Sequence, residues 1–152
     1  MKVINYFEVA DKKHWLEEIK QSDWGGAIFL YELLTNNNFF NTLGASSKLL
    51  LLVNDKELIS YCTYAEKDDI PNTELTPWIG FVYTFPKHRG HRYLNYLFNE
   101  IEKLAKHDNI PYVYLSTNHI GLYEKYGFIY FKEMIDIHNE ASRIYVKEIN
   151  DE

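Results

Sequence analysis

Hydrophobic and polar positions follow two different periods along this chain, and each period predicts a type of secondary structure. The clearest helical pattern follows the basic stretch KHRGHR. Apolar residues recur there every three or four positions, with polar residues between them: the apolar set is Tyr93, Leu94, Leu97, Phe98, Ile101, Leu104 and Ala105. This spacing is that of an α-helix with one apolar face, so it predicts an amphipathic helix packed on a core.

Apolar runs with turn residues between them predict strands on both sides of that helix. The run KLLLLV (48–53), the turn NDKE and the alternating ELISYCTY (57–64) predict a β-hairpin. Further strands are predicted directly before and after the helix and twice near the end of the chain: PWIGFVYTF (77–85), PYVYLST (111–117), IYFKEMIDI (129–137) and SRIYVKEI (142–149).

The N-terminal third adds one strand and two helices to this pattern. KVINYFEV (2–9) predicts the strand, and Asp11 is placed to cap a helix with Trp15, Leu16 and Ile19 on its apolar face. A second helix is predicted from Ala27 to Leu34. Much later in the chain, a short helix is predicted over HIGLYEKY (119–126). Strands and helices in this order predict an α/β or α+β protein with a mixed sheet and helices on both faces.

Length and composition bound the domain organisation. The chain has 152 residues, of which 46% are hydrophobic, enough for one core and too few for two. We therefore expect a single domain over residues 1–152. No apolar run approaches the roughly 20 residues of a membrane span, and the N-terminus has no signal-peptide pattern, so a cytoplasmic protein without a membrane partner is expected.

Charge and cysteine content narrow the chemistry. The net charge of −6 argues against a nucleic-acid partner and is compatible with a cationic small molecule. The one cysteine, Cys62, lies in an apolar run without a pattern of His and acidic partners, so we expect a buried thiol rather than a nucleophile.

The stretch FPKHRGHRYLNYLF (85–98) predicts an anion site. A strand, a basic loop and a helix start bring unpaired N–H groups and the positive end of a helix dipole together, which suits a phosphate or pyrophosphate. Arg89 and Arg92 add charge there. The alternative is a solvated basic helix entry, because short basic loops are common. His88 and His91 have no third ligand nearby in sequence, so no metal is expected.

A second stretch, LYEKYGF (122–128), resembles the segment that closes the acyl-CoA site in the GNAT superfamily of N-acetyltransferases. Both stretches occur in that superfamily's order and at its spacing. The resemblance implies a GNAT-like acyl-CoA N-acyltransferase fold, whose mostly antiparallel mixed sheet is splayed between its fourth and fifth strands. It also implies acetyl-CoA as the acetyl donor.

The superfamily's pyrophosphate loop, Arg/Gln-x-x-Gly-x-Gly/Ala, is only partly matched. Pro86 and Arg89 agree with it, whereas Arg92 and Leu94 stand where small residues are usual. If Arg92 keeps a negative φ, its side chain is tolerated there provided that it points out of the path of the anion. We expect the diphosphate to contact backbone amides 90–94, with Arg89 and Arg92 assisting. The residues that the resemblance assigns to the cofactor are Phe81, Val82, Tyr83, Thr84, Arg89, Gly90, His91, Arg92, Tyr93, Leu94, Asn118 and Tyr123.

The resemblance also implies catalytic roles. The amides of Val82 and Tyr83, in a bulged and splayed strand, would contact the acetyl carbonyl, and Tyr123 would protonate the departing thiolate. Glu74 and His119 are candidates for the general base. Each also fits an ordinary loop or cap residue, and a chain of water molecules is the alternative.

The acceptor pocket is expected between the first two helices and the start of the central strand. Trp24, Tyr31 and Trp78 are its candidate residues, since aromatic side chains suit a flat or cationic substrate, while Phe29 is expected in the core. The predicted function is transfer of acetyl to the primary amine of a small molecule or peptide. The alternatives are a module that binds acyl-CoA or a protein without turnover and, less favoured, a domain for another phosphate compound. Exposed edge strands near the C-terminus favour a homodimer.

Overall fold

The computed structural model describes residues 1–150, in which a curved sheet carries helices on both faces. The strands are β1 (Lys2–Asn5), β2 (Lys48–Asn54), β3 (Glu57–Ala65), β4 (Trp78–Thr84), β5 (Tyr112–Thr117), β6 (Ile129–Ile135) and β7 (Ala141–Glu148). The α-helices are α1 (Lys12–Lys20), α2 (Gly25–Thr35), α3 (Phe39–Leu43) and α4 (Leu94–His107). Three 3₁₀ turns cover Tyr6–Glu8, Pro86–His88 and Tyr123–Tyr126.

The seven strands form one mixed sheet in the order β1-β2-β3-β4-β5-β7-β6. The pair β4–β5 is parallel and the other pairs are antiparallel. The predicted fold class is confirmed. The chain forms α4 between β4 and β5 because a parallel pair needs a crossover connection.

Two apolar layers hold the helices to the sheet. The hairpin β2–β3 is apolar at almost every position because it is buried on both faces. Leu50 and Leu52 face the layer that includes α4, whereas Leu49 and Leu51 face the layer with α1 and α2. The apolar stripe predicted for α4 is buried as expected, with Leu97 and Ala105 fully enclosed.

Several local predictions are wrong in extent. The first strand ends at Asn5, whose side chain accepts from Phe7 N–H and starts a 3₁₀ turn. Asp11 precedes α1 but makes no capping bond, because its carboxylate binds Trp15 Nε1 and Lys56 Nζ instead. The helix predicted over 119–126 is only the 3₁₀ turn 123–126, and α3 was not predicted.

The splay between β4 and β5 decides the shape of the molecule. The two strands pair only at Trp78–Tyr114 and Ile79–Leu115 and then separate. Just beyond that point the register of β3 against β4 shifts, so that Phe81 and Val82 share one partner position on β3. Phe81 has φ +48°, the left-handed conformation that glycine usually supplies at the first position of a G1 bulge. The bulge turns β4 away from β5 and opens a cleft.

The ends of the sheet bear on two further expectations. Of the two C-terminal strands, only β6 lies at an edge of the sheet, because β7 is paired on both sides, with β5 and with β6. Apolar side chains of β6, such as Ile129 and Ile135, are more than half exposed. A homodimer through this edge stays a prediction.

Within residues 1–150, no helix is both long and apolar enough to cross a membrane.

Candidate functional site

A cleft of about 1430 Å³ begins where β4 and β5 part. Its walls come from the bulge in β4, the turn before α4, the end of β5, the 3₁₀ turn 123–126 and the loop between β3 and β4. The two segments that the sequence analysis selected, 85–98 and 122–128, therefore meet at one site although α4 and β5 separate them in the chain.

The turn before α4 presents free backbone N–H groups to the cleft. Within residues 1–150, the N–H groups from Gly90 to Tyr93 donate no hydrogen bond, and the helical bonding resumes with Asn95 N–H to Arg92 C=O at 3.1 Å. Gly90 and Arg92 have φ of +86° and +55°. Left-handed residues beside right-handed ones turn successive amides toward one point and form an anion-binding nest. This geometry suits the predicted diphosphate.

Arg92 does not meet the condition of a negative φ. The residue adopts a left-handed conformation, which glycine adopts without steric cost and which costs an L-residue about 1 kcal/mol or more.

Most basic side chains of the turn are held by other groups. Lys87 and His88 both lie against Glu57, with His88 Nε2 3.2 Å from its carboxylate. Arg89 folds back, so that its Nε donates to Thr84 C=O at 2.8 Å and its guanidinium lies 5.5 Å from the Tyr83 ring centre. These contacts hold the turn against β3, through Glu57, and against β4, through Arg89.

Arg92 is the cation of the turn that remains available to a ligand. It lines the cleft, and no acidic group within residues 1–150 lies within ion-pair distance of its guanidinium. Burial raises the pKa of Tyr126 in the closing segment, and the charge of Arg92 partly offsets this rise. The structure therefore separates two arginines that the sequence pattern treated alike.

The bulged strand offers amides to the cleft. Phe85 N–H donates to Ile59 C=O on β3 at 3.1 Å, and successive amides of a strand point to opposite edges. The amides of Val82 and Thr84 then face the opening toward β5, and that of Tyr83 faces β3. Of the two amides predicted to contact the carbonyl, this favours Val82.

Tyr83 contributes its side chain to the other face of the strand. Its hydroxyl binds the Asp23 carboxylate and accepts from Asp23 N–H at 3.2 Å. Its ring stacks on Trp24, with centroids 5.9 Å apart and an angle of 6° between the planes. These contacts fix the loop before α2 at the mouth of the cleft.

Tyr123 is buried at the closing segment and lines the cleft. Gly127, with φ +92°, ends the turn and brings Phe128 N–H to Tyr123 C=O at 3.3 Å. The ring packs near Phe98 and Phe128. Burial, with smaller contributions from Cys62 and Tyr126, raises the pKa of Tyr123, so the phenol keeps its proton at neutral pH.

The acceptor candidates are divided by the structure. Trp24 lines the cleft and is 38% exposed, and Trp78 lines it too but is buried, with Nε1 donating to Leu75 C=O at 2.6 Å. Tyr31 lies outside the cleft wall, beside Lys20 of α1. The expectation that Phe29 belongs to the core is wrong, since it is 44% exposed and faces Phe81 across the cleft mouth.

The remaining predicted residues also fall into two groups. Glu74 and His119 both lie on the cleft wall and are exposed. Asn118 does not line the cleft, because its amide bridges β5 to β7 through Ala141 C=O and Arg143 N–H. Its side chain is used within the sheet.

A pair of carboxyl groups that sequence reasoning missed also lines the cleft. Asp68 and Asp69 follow β3, and the Asp68 carboxyl lies against Gly80, directly before the bulge. Burial and the charge of Asp69 raise the pKa of Asp68, and burial likewise raises the pKa of Asp69. Two adjacent acids in an acidic loop resemble ordinary surface charge, so no sequence pattern marked them.

Comparison with known proteins agrees with the family resemblance of the two segments. Residues 11–128 match the model of the acetyltransferase (GNAT) family. The chain belongs to this family. The matched range includes both the turn before α4 and Tyr123, so the free amides of the turn lie in the GNAT portion of the chain. No match was found among curated proteins.

Solved GNAT-fold structures cover from about three quarters to nearly all of the chain. An acetyltransferase of the GNAT family from Staphylococcus aureus Mu50 gives a TM-score of 0.64 at 16% identity, covering 98% of this chain and 99% of that one. An aminoglycoside 6′-N-acetyltransferase complexed with coenzyme A gives 0.67 at 12% identity, covering 99% and 98%. A protein described as a streptothricin acetyltransferase, from Bacillus anthracis and in complex with acetyl coenzyme A, gives 0.58 at 16% identity over 73% and 68%. At these identities the likeness shows a shared fold.

Proposed function

We propose that this GNAT protein acts as a single-domain N-acetyltransferase that moves acetyl from acetyl-CoA to a primary amine. The observation that carries the proposal is the convergence of three features in one cleft. These are the free amides of Gly90–Tyr93, the unpaired amide edge of β4 at Val82 and the protonated phenol of Tyr123.

Donor binding uses the cationic end of the cleft. The diphosphate accepts hydrogen bonds from the amides of the turn and an ion pair from Arg92, while Arg89 holds the turn against β4. The pantetheine arm lies in the splay, where Thr84 N–H has no partner strand. The relatives solved with coenzyme A and with acetyl coenzyme A support this choice of donor.

Acetyl transfer then places different groups on each developing charge. The neutral amine attacks the thioester carbonyl, and negative charge grows on the carbonyl oxygen, where Val82 N–H donates. The carbon–sulfur bond breaks as Tyr123 gives a proton to the leaving sulfur. Burial raises the pKa of Tyr123, so the phenol carries this proton at neutral pH.

Ligand binding and turnover test the proposal together. Acetyl-CoA is expected to raise the melting temperature in a concentration-dependent way, because it binds the folded chain only. Release of free thiol in the presence of a panel of primary amines would show transfer. Binding without turnover on any amine would favour a non-catalytic acyl-CoA module. The absence of both a thermal shift and calorimetric heat at millimolar acetyl-CoA would overturn the proposal.

A further inference from the structure

The loop between β3 and β4 carries a polar cluster next to the reacting centre. We propose that Asp68 and Asp69 bind the amino group of the acceptor and accept its proton, and that the acceptor is a monoamine with an aromatic or apolar body. This inference rests on the proposed acetyltransferase function and names the substrate class of the same cleft.

Gly80 brings the acid pair close to the reaction site. A Cβ at this position would collide with Asp68 Oδ1, so the carboxyl occupies the volume that a side chain on β4 would fill. Gly80 is two residues before Val82, whose amide faces the opening. A nitrogen bound to Asp68 therefore lies beside the position proposed for the acetyl carbonyl.

Unpartnered buried atoms around the pair point to a missing ligand. Thr63 is fully buried, yet its Oγ1 has no hydrogen-bond partner within residues 1–150, and it lies 3.1 Å from the same Cβ position beside Gly80. Asp69 Oδ1 is likewise buried and without a partner in that part of the chain. Buried polar atoms are rarely left unpaired. An ammonium group, with three donors, would supply partners for both.

The other candidate occupants fit less well. No group of three potential metal ligands occurs in residues 1–150, so the pair is not part of a metal site there. The neighbouring carboxylates are engaged, because Asp23 binds Tyr83 and Glu66 accepts from Ser46 N–H at 2.8 Å. Glu74 is the one further carboxylate of the cleft wall for which no such contact is found within residues 1–150, so the adjacent pair matches a single ammonium group better than a polycation.

Aromatic side chains define the rest of the acceptor. Trp24, Phe29 and Phe81 meet at the mouth of the cleft, with ring centroids 6.5 Å apart for Trp24–Phe81 and 5.9 Å for Phe29–Phe81. Trp24 and Phe29 are partly exposed, and such an apolar surface gains free energy when a ligand covers it. An apolar or aromatic body attached to the amino group would do so.

The proton balance of the reaction requires a base at this place. The acceptor arrives as an ammonium ion, and the pair takes one proton from it and passes that proton to water. The nitrogen lone pair then forms the carbon–nitrogen bond as the carbon–sulfur bond breaks. The nitrogen loses its second proton to the pair, Tyr123 gives its own proton to the leaving sulfur, and the proton on the pair returns to Tyr123 through water. One proton has then left for solvent and one has replaced the proton of Tyr123, so amide, thiol and one released proton are the products.

Other titratable groups share the wall of the cleft with the pair. Burial raises the pKa of Asp69, and the charge of Asp136 in the β6–β7 connection adds to this rise. His138 lies on the same connection. Lys67 and Glu74 belong to the loop that carries the pair, and His119 follows β5. A pH profile of turnover must therefore be compared between variants rather than assigned from the wild type alone.

Binding of a probe amine tests the inference without turnover. We would titrate the complex of the protein with coenzyme A by calorimetry, using 2-phenylethylamine as the probe. Asp68→Asn and Asp69→Asn are each expected to weaken the probe about tenfold or more, since each removes an acceptor for a charged donor. Both variants should bind coenzyme A as the wild type does, which also verifies that they fold.

Asp55→Asn supplies the matched control. It makes the same chemical change at an exposed position in the β2–β3 turn, away from the cleft, and should bind the probe normally. Equal probe affinity in the wild type and both pair variants would overturn the inference. The inference would also be overturned if Glu74→Gln alone weakened probe binding, or if spermidine or kanamycin bound more tightly than 2-phenylethylamine.

Two readouts separate this inference from the proposed function. If the probe binds through the pair but no thiol is released, acetyl transfer fails and the amine site stands. If acetyl-CoA binds and other amines are acetylated while 2-phenylethylamine neither binds nor reacts, the inference fails and acetyl transfer stands. In an active enzyme, we expect kcat/KM to rise with pH as Asp68 loses its proton. Asp68→Asn should lower kcat/KM and abolish this rise.

Discussion

The two ends of the cleft differ in charge and in construction. At one end, the turn before α4 presents backbone amides and Arg92. At the other, Asp68 and Asp69 share the cleft wall with the aromatic side chains of Trp24, Phe29 and Phe81. The first end is made from consecutive residues of one turn, whereas the second is assembled from β3, β4, α2 and the loops between them.

This difference separates recognition of the donor from recognition of the acceptor. A diphosphate can be bound by backbone groups, so the turn tolerates Arg92 in place of a glycine as long as the left-handed φ is kept. The acceptor end has no such backbone motif and depends on side chains. We therefore expect substitutions at the two ends to act on different ligands.

The largest expected effect lies where the two ends meet. Tyr123→Phe keeps the ring and its packing but removes the proton that the leaving sulfur needs, so turnover should fall by roughly 10²–10⁴-fold. Acetyl-CoA affinity should change little. Steady-state rates and calorimetric binding constants on the same proteins provide the comparison.

Tyr112→Phe is the control for that prediction, because this exposed tyrosine lies on β5 outside the cleft wall. It should leave both quantities unchanged. Unchanged turnover in Tyr123→Phe would remove this residue from the mechanism, and a large loss of acetyl-CoA binding would make it a packing residue for the donor.

The cationic end is tested by two substitutions at one position. Arg92→Ala and Arg92→Gly both remove the charge, so both should weaken coenzyme A by about 1–3 kcal/mol while changing dephosphorylated pantetheine much less. Equal losses for the two ligands would show that Arg92 does not contact the phosphates.

The same two variants also separate charge from backbone strain. Glycine adopts φ +55° without steric cost, and alanine does not. Arg92→Gly should therefore be more stable than Arg92→Ala by about 1 kcal/mol, measured by urea unfolding of the ligand-free proteins. Equal stability would contradict the left-handed conformation at this residue.

The acidic end should show a smaller effect, on stability, in the absence of ligands. Unfolded Asp68 ionises near pH 4, whereas burial and Asp69 raise its folded pKa. Between these values the folded state binds more protons, so stability falls as pH rises. From about pH 5 to pH 8, the melting temperature of Asp68→Asn should fall by a few degrees less than that of the wild type. If the melting temperatures of both proteins fall equally over this pH range, the pKa of Asp68 is not raised in the folded state.

Contiguous patterns predicted much of the fold and one half of the site. The hairpin β2–β3, the stripe of α4 and the strands around it were predicted because each depends on periodicity within a short segment. The predictions failed where one hydrogen bond decides the outcome. The side chain of Asn5 shortened the first strand in this way, and Asn118 was drawn into the sheet.

The sequence by itself determined the order of elements, the apolar faces of the helices and the turn that presents amides before α4, because neighbouring residues specify each of these. Only the tertiary structure decided which charges stay available. It paired Lys87 and His88 with Glu57, turned Arg89 back onto β4 and left Arg92 at the cleft. It also brought Asp68 against Gly80, twelve positions along the chain, because the β3–β4 loop folds back over β4. Such contacts depend on strand register and side-chain direction, which no local pattern encodes.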